Sequence, residues 1–181
     1  MRLILALILI LPVLFALSGC KSEESYHVQL AHSLMKKYAQ KMRKEKGLEL
    51  SGIGGAMMYK ISELSLDFIS KEKSTIPEAR KLYLEVVEGI LPIVNDDKKI
   101  RPYLKNYPFT PENIDFSIVF YDKSSNKRAV PPYVAHVFYC RGDVVYSFFN
   151  AEKDKYNDDL QYAEKYEDAL RIVQQDESQN D

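Results

Sequence analysis

The sequence YVAHVFYCRGDVVYSFF occupies residues 133–149 and decides the fold that we expect. It contains two apolar runs, 133–140 and 143–149, and each has the length and composition of a β-strand. Arg141-Gly142 separates them as the two-residue turn of a tight hairpin. Both faces of these strands are apolar. This pattern predicts one of two arrangements. Either the two strands lie at the centre of the sheet, or helices cover one face of the strands and some other group covers the opposite face.

Two more strands precede the hairpin, and each is indicated by apolar residues that alternate with polar ones. One covers residues 115–122, and the other runs through Leu64 and Phe68 with a start that the pattern allows as early as Met57. The glycine-rich residues 52–55 before the earlier strand are predicted to form a loop.

Three helices complete the predicted fold. The first covers residues 25–46, with Ser25 as its cap and Gly47 as its stop. The second opens on the capping box at residues 75–78 and is expected to kink or end at Pro92, and the third covers 158–174. The order α-β-α-β-β-β-α predicts a two-layer α+β domain, with three helices packed on a mostly antiparallel sheet of about four strands.

Composition limits both the domain count and the partners. Removing residues 1–19 from the 181-residue chain leaves 162 residues, with 24 basic and 26 acidic side chains and a net charge of −2. This length suits one domain, which we place at residues 26–174, followed by a disordered tail at 175–181. The mixed, slightly acidic charge lacks the basic excess of a nucleic-acid binder, so we expect no nucleic-acid partner.

No catalytic or metal-binding constellation is visible in the sequence. The three histidines, His27, His32 and His136, have no partners at metal-ligand spacing, so no metal and no cofactor are expected. Cys140 lies in an apolar strand pattern and is predicted to be a buried thiol, with pairing between molecules as the alternative. We therefore expect a protein that is not an enzyme.

The N-terminal segment has Arg2 after Met1, then an apolar run from Leu3 to Leu17, and its last four residues are Leu17-Ser18-Gly19-Cys20. This segment resembles the signal peptide and lipobox of bacterial lipoproteins, in which signal peptidase II cuts before a diacylated cysteine. A transmembrane helix is the weaker interpretation, because fifteen residues rise about 22 Å against a hydrocarbon core of about 30 Å. Plain secretion is another alternative. The resemblance covers about the first twenty residues and implies anchoring through Cys20, but no activity.

Lys21 follows the lipobox cysteine, and aspartate there favours inner-membrane retention in such lipoproteins. By that resemblance the expected location is the cell envelope, at the periplasmic face of the outer membrane. Residues 20–25 comprise the lipidated cysteine and a short tether, of which Lys21 to Ser25 spans at most about 18 Å when extended. The domain should therefore lie close to the bilayer.

Thirteen tyrosines and no tryptophan are the most unusual feature of the composition. Tyrosine is frequent at recognition surfaces because its ring is apolar and its tip is polar. Two long segments, 101–109 and 123–132, are hypothesised to line one shared edge of the domain. The candidate contact residues are Tyr103, Tyr107, Tyr133, Lys127 and Arg128, with Tyr162 as a further tyrosine to test.

The function that we expect is a lipid-anchored envelope protein whose domain binds another envelope protein without catalysis. One alternative is a binding protein for a small apolar or peptidic ligand, which would require a cavity between sheet and helices. A second alternative is a hydrolase of envelope substrates, which would require a cleft that gathers His136, Cys140 and an acidic residue.

Overall fold

A computed structural model describes residues 25–180. The predicted signal peptide, Cys20 and all of the tether except Ser25 lie outside the described residues. The helices and strands, in chain order, are α1 (Tyr26–Lys46), β1 (Glu49–Gly54), β2 (Leu64–Ser70), α2 (Ile76–Asp96), β3 (Ile114–Asp122), β4 (Lys127–Arg128), β5 (His136–Cys140), β6 (Asp143–Asn150), β7 (Lys155–Lys165) and α3 (Tyr166–Asn180).

The architecture is α+β, as predicted, but its sheet is larger than expected. The seven strands lie in the order β1-β2-β3-β5-β6-β7, and the short β4 pairs with the end of β3. All neighbours are antiparallel except β2 and β3, which are parallel. Helix α2 connects this parallel pair because parallel strands need a crossover between them. The expectation of about four strands is therefore wrong.

The hairpin at the centre of the predicted fold is confirmed. Cys140 pairs with Asp143, and β5 and β6 continue the pairing as far as His136 opposite Ser147. Arg141 and Gly142 have φ angles of 52° and 91°. A tight two-residue turn of this hand needs positive φ at both positions, so Gly142 relieves the strain at one of them.

Helices α1 and α2 begin where their capping signals predict. Gly47 ends α1 in the left-handed conformation, and Thr75 with Glu78 forms the capping box of α2. Pro92 does not end α2, which continues to Asp96. The lost backbone hydrogen bond of the proline is outweighed here by the packing of the helix, in which Ile90 and Val94 are fully buried.

Strand β1 occupies the segment that was predicted to be a glycine loop. It pairs with β2 through Leu50 opposite Phe68 and Ile53 opposite Leu66, with an irregularity between Leu50 and Gly52. A Cβ atom at Gly52 would lie 2.5 Å from Oδ2 of Asp67. Gly52 therefore marks a close approach within an edge strand, a role that the sequence alone cannot distinguish from a loop.

The C-terminal helix predicted at 158–174 is wrong over its first half. Residues 155–165 form β7, which pairs with β6, and α3 begins only at Tyr166. Before residue 166 the apolar residues have a spacing that also suits a helix, but they belong to a strand. Their backbone N–H and C=O groups form hydrogen bonds with the otherwise unpaired edge of β6. Helix α3 also continues past Gln174 to Asn180, so residues 175–180 are helical.

All three helices pack on one face of the sheet. The side chains of β2, β3 and β5 that point to this face are fully buried, among them Phe68, Phe116 and Val137. The hydroxyl of Tyr83 in α2 donates to the carbonyl of Phe116 at 3.0 Å. None of the helices in residues 25–180 is long and apolar enough to cross a bilayer.

The strands define two ends of the domain. The tether end contains the start of α1, residues 55–62 and residues 97–113, because β2 and β3 both begin there. The distal end contains the loops that follow these two strands, residues 71–75 and 123–135. The nine residues of β3 separate the two ends by about 26 Å.

Candidate functional site

The face of the sheet opposite the helices is not covered by any helix within residues 25–180. Side chains on this face alternate with the fully buried ones of the helix-covered face. We call this surface the open face. Its half-buried residues include Val119, Tyr121, Arg128, His136, Phe138, Val145, Phe149 and Tyr156.

Arg128 lies at the centre of an aromatic cluster on the open face. Its guanidinium carbon is 5.0 Å from the ring centroid of Tyr156, 5.6 Å from that of Tyr121 and 5.8 Å from that of Phe149. Its Nη1 also donates a hydrogen bond to the hydroxyl of Tyr156. Burial raises the pKa of Tyr156, so its phenol stays neutral and accepts this bond. A cation over several ring faces is attracted by their quadrupoles.

The β3–β4 turn positions Arg128. Arg128 pairs directly with Tyr121 across this small ladder, so both side chains point to the same face. Asn126 closes the turn with a φ of 53°, and its Oδ1 accepts a hydrogen bond from Nζ of Lys71 at 3.0 Å. The same Nζ lies 5.1 Å from the ring centroid of Tyr121. The cluster therefore contains two cations and no carboxylate in direct contact with Arg128 among the described side chains.

His136 extends the cluster along β5. Its ring stacks on Phe138 with centroids 4.8 Å apart and lies 5.7 Å from the ring of Tyr156. Burial and the positive charge of Arg128 lower its pKa to about 4, although Asp67 acts in the opposite direction. The imidazole is therefore neutral at neutral pH and contributes an apolar ring to the open face.

The lowered pKa of His136 predicts a pH-dependent stability. Its pKa is about 4 in the folded chain and 6.5 ordinarily, so between these values the unfolded chain binds a proton that the folded chain does not. The contribution of His136 to stability is complete above pH 6.5 and is lost as the pH falls toward 4. The loss reaches at most about 3 kcal/mol.

Urea unfolding of the wild type and of His136→Phe at pH 7 and pH 4.5 measures this loss. Phenylalanine keeps the stacking but cannot titrate, and carboxylate titration is common to both chains. We expect the wild type to lose more unfolding free energy than the variant on acidification. Equal losses in the two chains would contradict the assignment.

The structure separates the residues that the sequence analysis grouped on one edge. Tyr133, Lys127 and Arg128 lie at the distal end, where Lys73 approaches the ring of Tyr133 at 5.1 Å. Tyr103 and Tyr107 lie at the tether end, where Tyr103 stacks on His27 at 5.7 Å. The hypothesis of one shared edge is therefore wrong, because residues 101–109 precede β3 and residues 123–132 follow it, which places the two segments at opposite ends of the strand. Tyr162 lies on β7 beside Tyr146, away from both groups.

The residues named for a hydrolase do not come together. Cys140 and His136 are four residues apart on β5, which places their Cα atoms about 13 Å apart. Cys140 is exposed, so its predicted burial is wrong: it is the last residue of β5, next to the hairpin turn, and no helix covers it. Among the described side chains no group of three or more His, Cys, Asp or Glu is arranged to hold a metal ion.

A pocket of about 800 Å³ lies on the outside of the helical layer rather than between the sheet and the helices. It is lined mainly by charged side chains of α2 and α3, including Arg80, Glu85 and Glu177. The interface between helices and sheet is filled by buried side chains such as Phe116 and Tyr83. Neither this pocket nor the filled interface supports the alternative of a small apolar or peptidic ligand held between sheet and helices.

Most of the open-face cluster was not identified from the sequence. Arg128 was identified, but Tyr121, His136, Phe149 and Tyr156 were not proposed as contacts. The available signal was the apolar character of both faces of β5 and β6, for which a cover over the second face was one of the two interpretations. Tyr156 could not be assigned to the open face from the sequence, because the strand that contains it, β7, was not predicted. Comparisons with protein-family models, with curated proteins and with solved structures found no match for this chain.

Proposed function

We propose that this chain is a lipid-anchored cell-envelope protein whose open face binds another envelope protein without catalysis. The observation that carries this proposal is the position of Arg128, which contacts three aromatic rings on a sheet face that no described helix covers. The lipobox at residues 17–20 supports the anchoring part.

The chemistry of the open face is that of a protein contact surface. Arginine, tyrosine and tryptophan dominate the residues that carry binding energy at protein interfaces. Arg128 and Tyr156 are held in place by one hydrogen bond and by ring contacts, so binding orders few side chains and loses little conformational entropy. Val119, Phe138 and Val145 supply apolar area beside them.

The proposed location is the periplasmic face of the outer membrane, with the membrane contacted through lipid on Cys20. The proposal includes no nucleic acid and no cofactor. Two acyl chains are sufficient for stable anchoring, since each buried methylene contributes about 0.8 kcal/mol.

Site-specific photo-crosslinking in cell envelopes tests the proposal. A photoreactive benzophenone residue at Val145, on the open face, is expected to capture one discrete envelope protein. The matched control carries the same residue at Gln40, which is exposed on α1, and is expected to capture none. Equal products from both positions, or lipid adducts alone, would contradict the protein partner. The Cys20→Ala chain and the mass of the mature N-terminus test the anchor separately.

A further inference from the structure

The tether end carries exposed apolar side chains that the open face does not explain. Met58 is 81% exposed and Tyr59 is 85% exposed, in the loop between β1 and β2. Tyr26, at the start of α1, is 61% exposed, and Tyr107 is 53% exposed. Large apolar side chains that are exposed on one contiguous surface mark a contact site.

Contacts between three segments make this one continuous surface. The ring of Tyr26 lies edge-on to that of Tyr103, with centroids 6.1 Å apart. Nε2 of His27 is 2.8 Å from the carbonyl of Met57. The backbones of the β1–β2 loop and of residues 101–105 are joined by a hydrogen bond from Lys105 N to the Ile61 carbonyl at 2.7 Å. The start of α1, residues 55–62 and residues 101–107 are therefore in contact with one another, and we call the surface that they form the tether-end patch.

The tether-end patch is basic although the whole chain is slightly acidic. Residues 55–62 and 101–107 contain three basic side chains, those of Lys60, Arg101 and Lys105, and no aspartate or glutamate. Two of these cations, Lys60 and Lys105, are exposed beside Met58 and Tyr59. Nζ of Lys60 lies 3.4 Å from the carbonyl of Pro102, and Arg101 is 4.7 Å from the ring centroid of Tyr107. The cations and the exposed rings therefore share one surface.

The position of the patch in the chain identifies what it faces. Tyr26 is six residues after Cys20, and the intervening chain reaches at most about 20 Å. Lipid on Cys20 would hold this end of the domain next to the bilayer. Tyrosine rings concentrate at membrane interfaces, and lysine and arginine are attracted to anionic headgroups.

We propose that the tether-end patch docks on the bilayer surface, with Met58 and Tyr59 in the interfacial layer and Lys60 and Lys105 on anionic phospholipid headgroups. The strands then rise away from the membrane and leave the open face accessible to a partner. This inference uses the lipid anchor of the proposed function as the reason for the patch's orientation, but its test does not require the anchor.

The absence of tryptophan from the chain allows a direct test. Tyr59→Trp places the only tryptophan of the chain in the patch of the full mature protein, which is reconstituted into vesicles of phosphatidylethanolamine and phosphatidylglycerol and excited at a wavelength that tyrosine does not absorb. We expect its emission to shift to the blue and to be quenched by dibrominated phospholipids. The matched control is Val130→Trp, an exposed apolar position at the distal end, where we expect neither effect.

A second variant tests the headgroup contact. Lys60→Glu with Lys105→Glu, placed in the Tyr59→Trp background, is expected to lose most of the quenching in vesicles that contain phosphatidylglycerol. High salt should have the same effect on the parent chain, because it screens exposed charges. Circular dichroism checks that each variant is folded, and the replaced side chains are all exposed.

The outcomes separate this inference from the anchor and from a protein partner. Unquenched emission from Tyr59→Trp in vesicles that retain the protein would overturn the inference. A blue shift in envelope preparations but not in pure lipid would overturn it too, because the patch would then contact a protein. If mass spectrometry finds Cys20 unmodified, quenching still supports the docking while the anchor fails. Unmodified Cys20 without vesicle binding would overturn both.

Discussion

Replacing Glu164 with alanine is expected to reduce the free energy of unfolding by about 3–5 kcal/mol, because it leaves the buried Arg80 without its counter-charge. Arg80 Nε donates to Glu164 Oε1 at 2.7 Å and Arg80 Nη2 donates to Oε2 at 3.0 Å. The two side chains are only 10% and 7% exposed. Tyr146 also donates its hydroxyl to Oε1 at 2.7 Å.

Urea unfolding at pH 7 measures this loss. The matched control is Glu177→Ala, which removes the partner of Lys81 in an ion pair whose side chains are both 53% exposed, and it should cost little, because water screens an exposed pair. A second comparison replaces both members of the buried pair, Arg80→Met with Glu164→Leu, and is expected to recover part of the loss, because no buried charge is left unpaired although the Tyr146 hydroxyl still lacks its acceptor. A cost for Glu164→Ala as small as that of the control would contradict the structural role given to this pair.

Replacing Arg128 with alanine is expected to weaken binding of the open-face partner by about 2–4 kcal/mol, a thirtyfold to thousandfold rise in Kd. The loss has two sources: the guanidinium itself, and the order that it imposes on Tyr121, Phe149 and Tyr156. Affinity for the partner identified by crosslinking, measured by surface plasmon resonance, gives the change in Kd.

Two variants control this measurement. Lys127→Ala removes the neighbouring positive charge, which is exposed. The three ring contacts described above are made by Arg128 and not by Lys127. We therefore expect this variant to change Kd by less than about threefold. Arg128→Lys keeps the charge but loses the planar group that stacks on rings, so we expect it to bind almost as weakly as the alanine variant. Equal effects of Lys127→Ala and Arg128→Ala would indicate a general charge effect and contradict the anchor role of Arg128.

The local signals in the sequence predicted the interior of the fold more accurately than its edges. The 133–149 hairpin, the start of α2 at its capping box and the end of α1 at Gly47 all follow from residues within a few positions of each other. Strand β1 was not predicted because its glycines are typical of a loop. Strand β7 was not predicted because the spacing of its apolar residues also suits a helix. Edge strands pair on one side only, so their sequences carry weaker alternation.

The candidate site was predicted only in part for a related reason. Lys127 and Arg128 were identified because both lie in the basic segment 123–132. The tyrosines at the two ends of the domain were grouped because their segments are both long and rich in proline. Which sheet end each segment occupies depends on the direction of β3, and no local pattern encodes this direction.

The sequence by itself determined the α+β class, the central hairpin and the boundaries of α1 and of the start of α2, because periodicity, capping and turn chemistry act between neighbours along the chain. Only the tertiary structure decided the seven-stranded mixed sheet, the face that the helices cover and the contacts of Arg128. These depend on pairs distant in sequence: Arg80 and Glu164 are separated by 84 positions, and Arg128 and Tyr156 by 28. Such pairs form only when the whole chain has packed, so the site is a property of the assembled sheet.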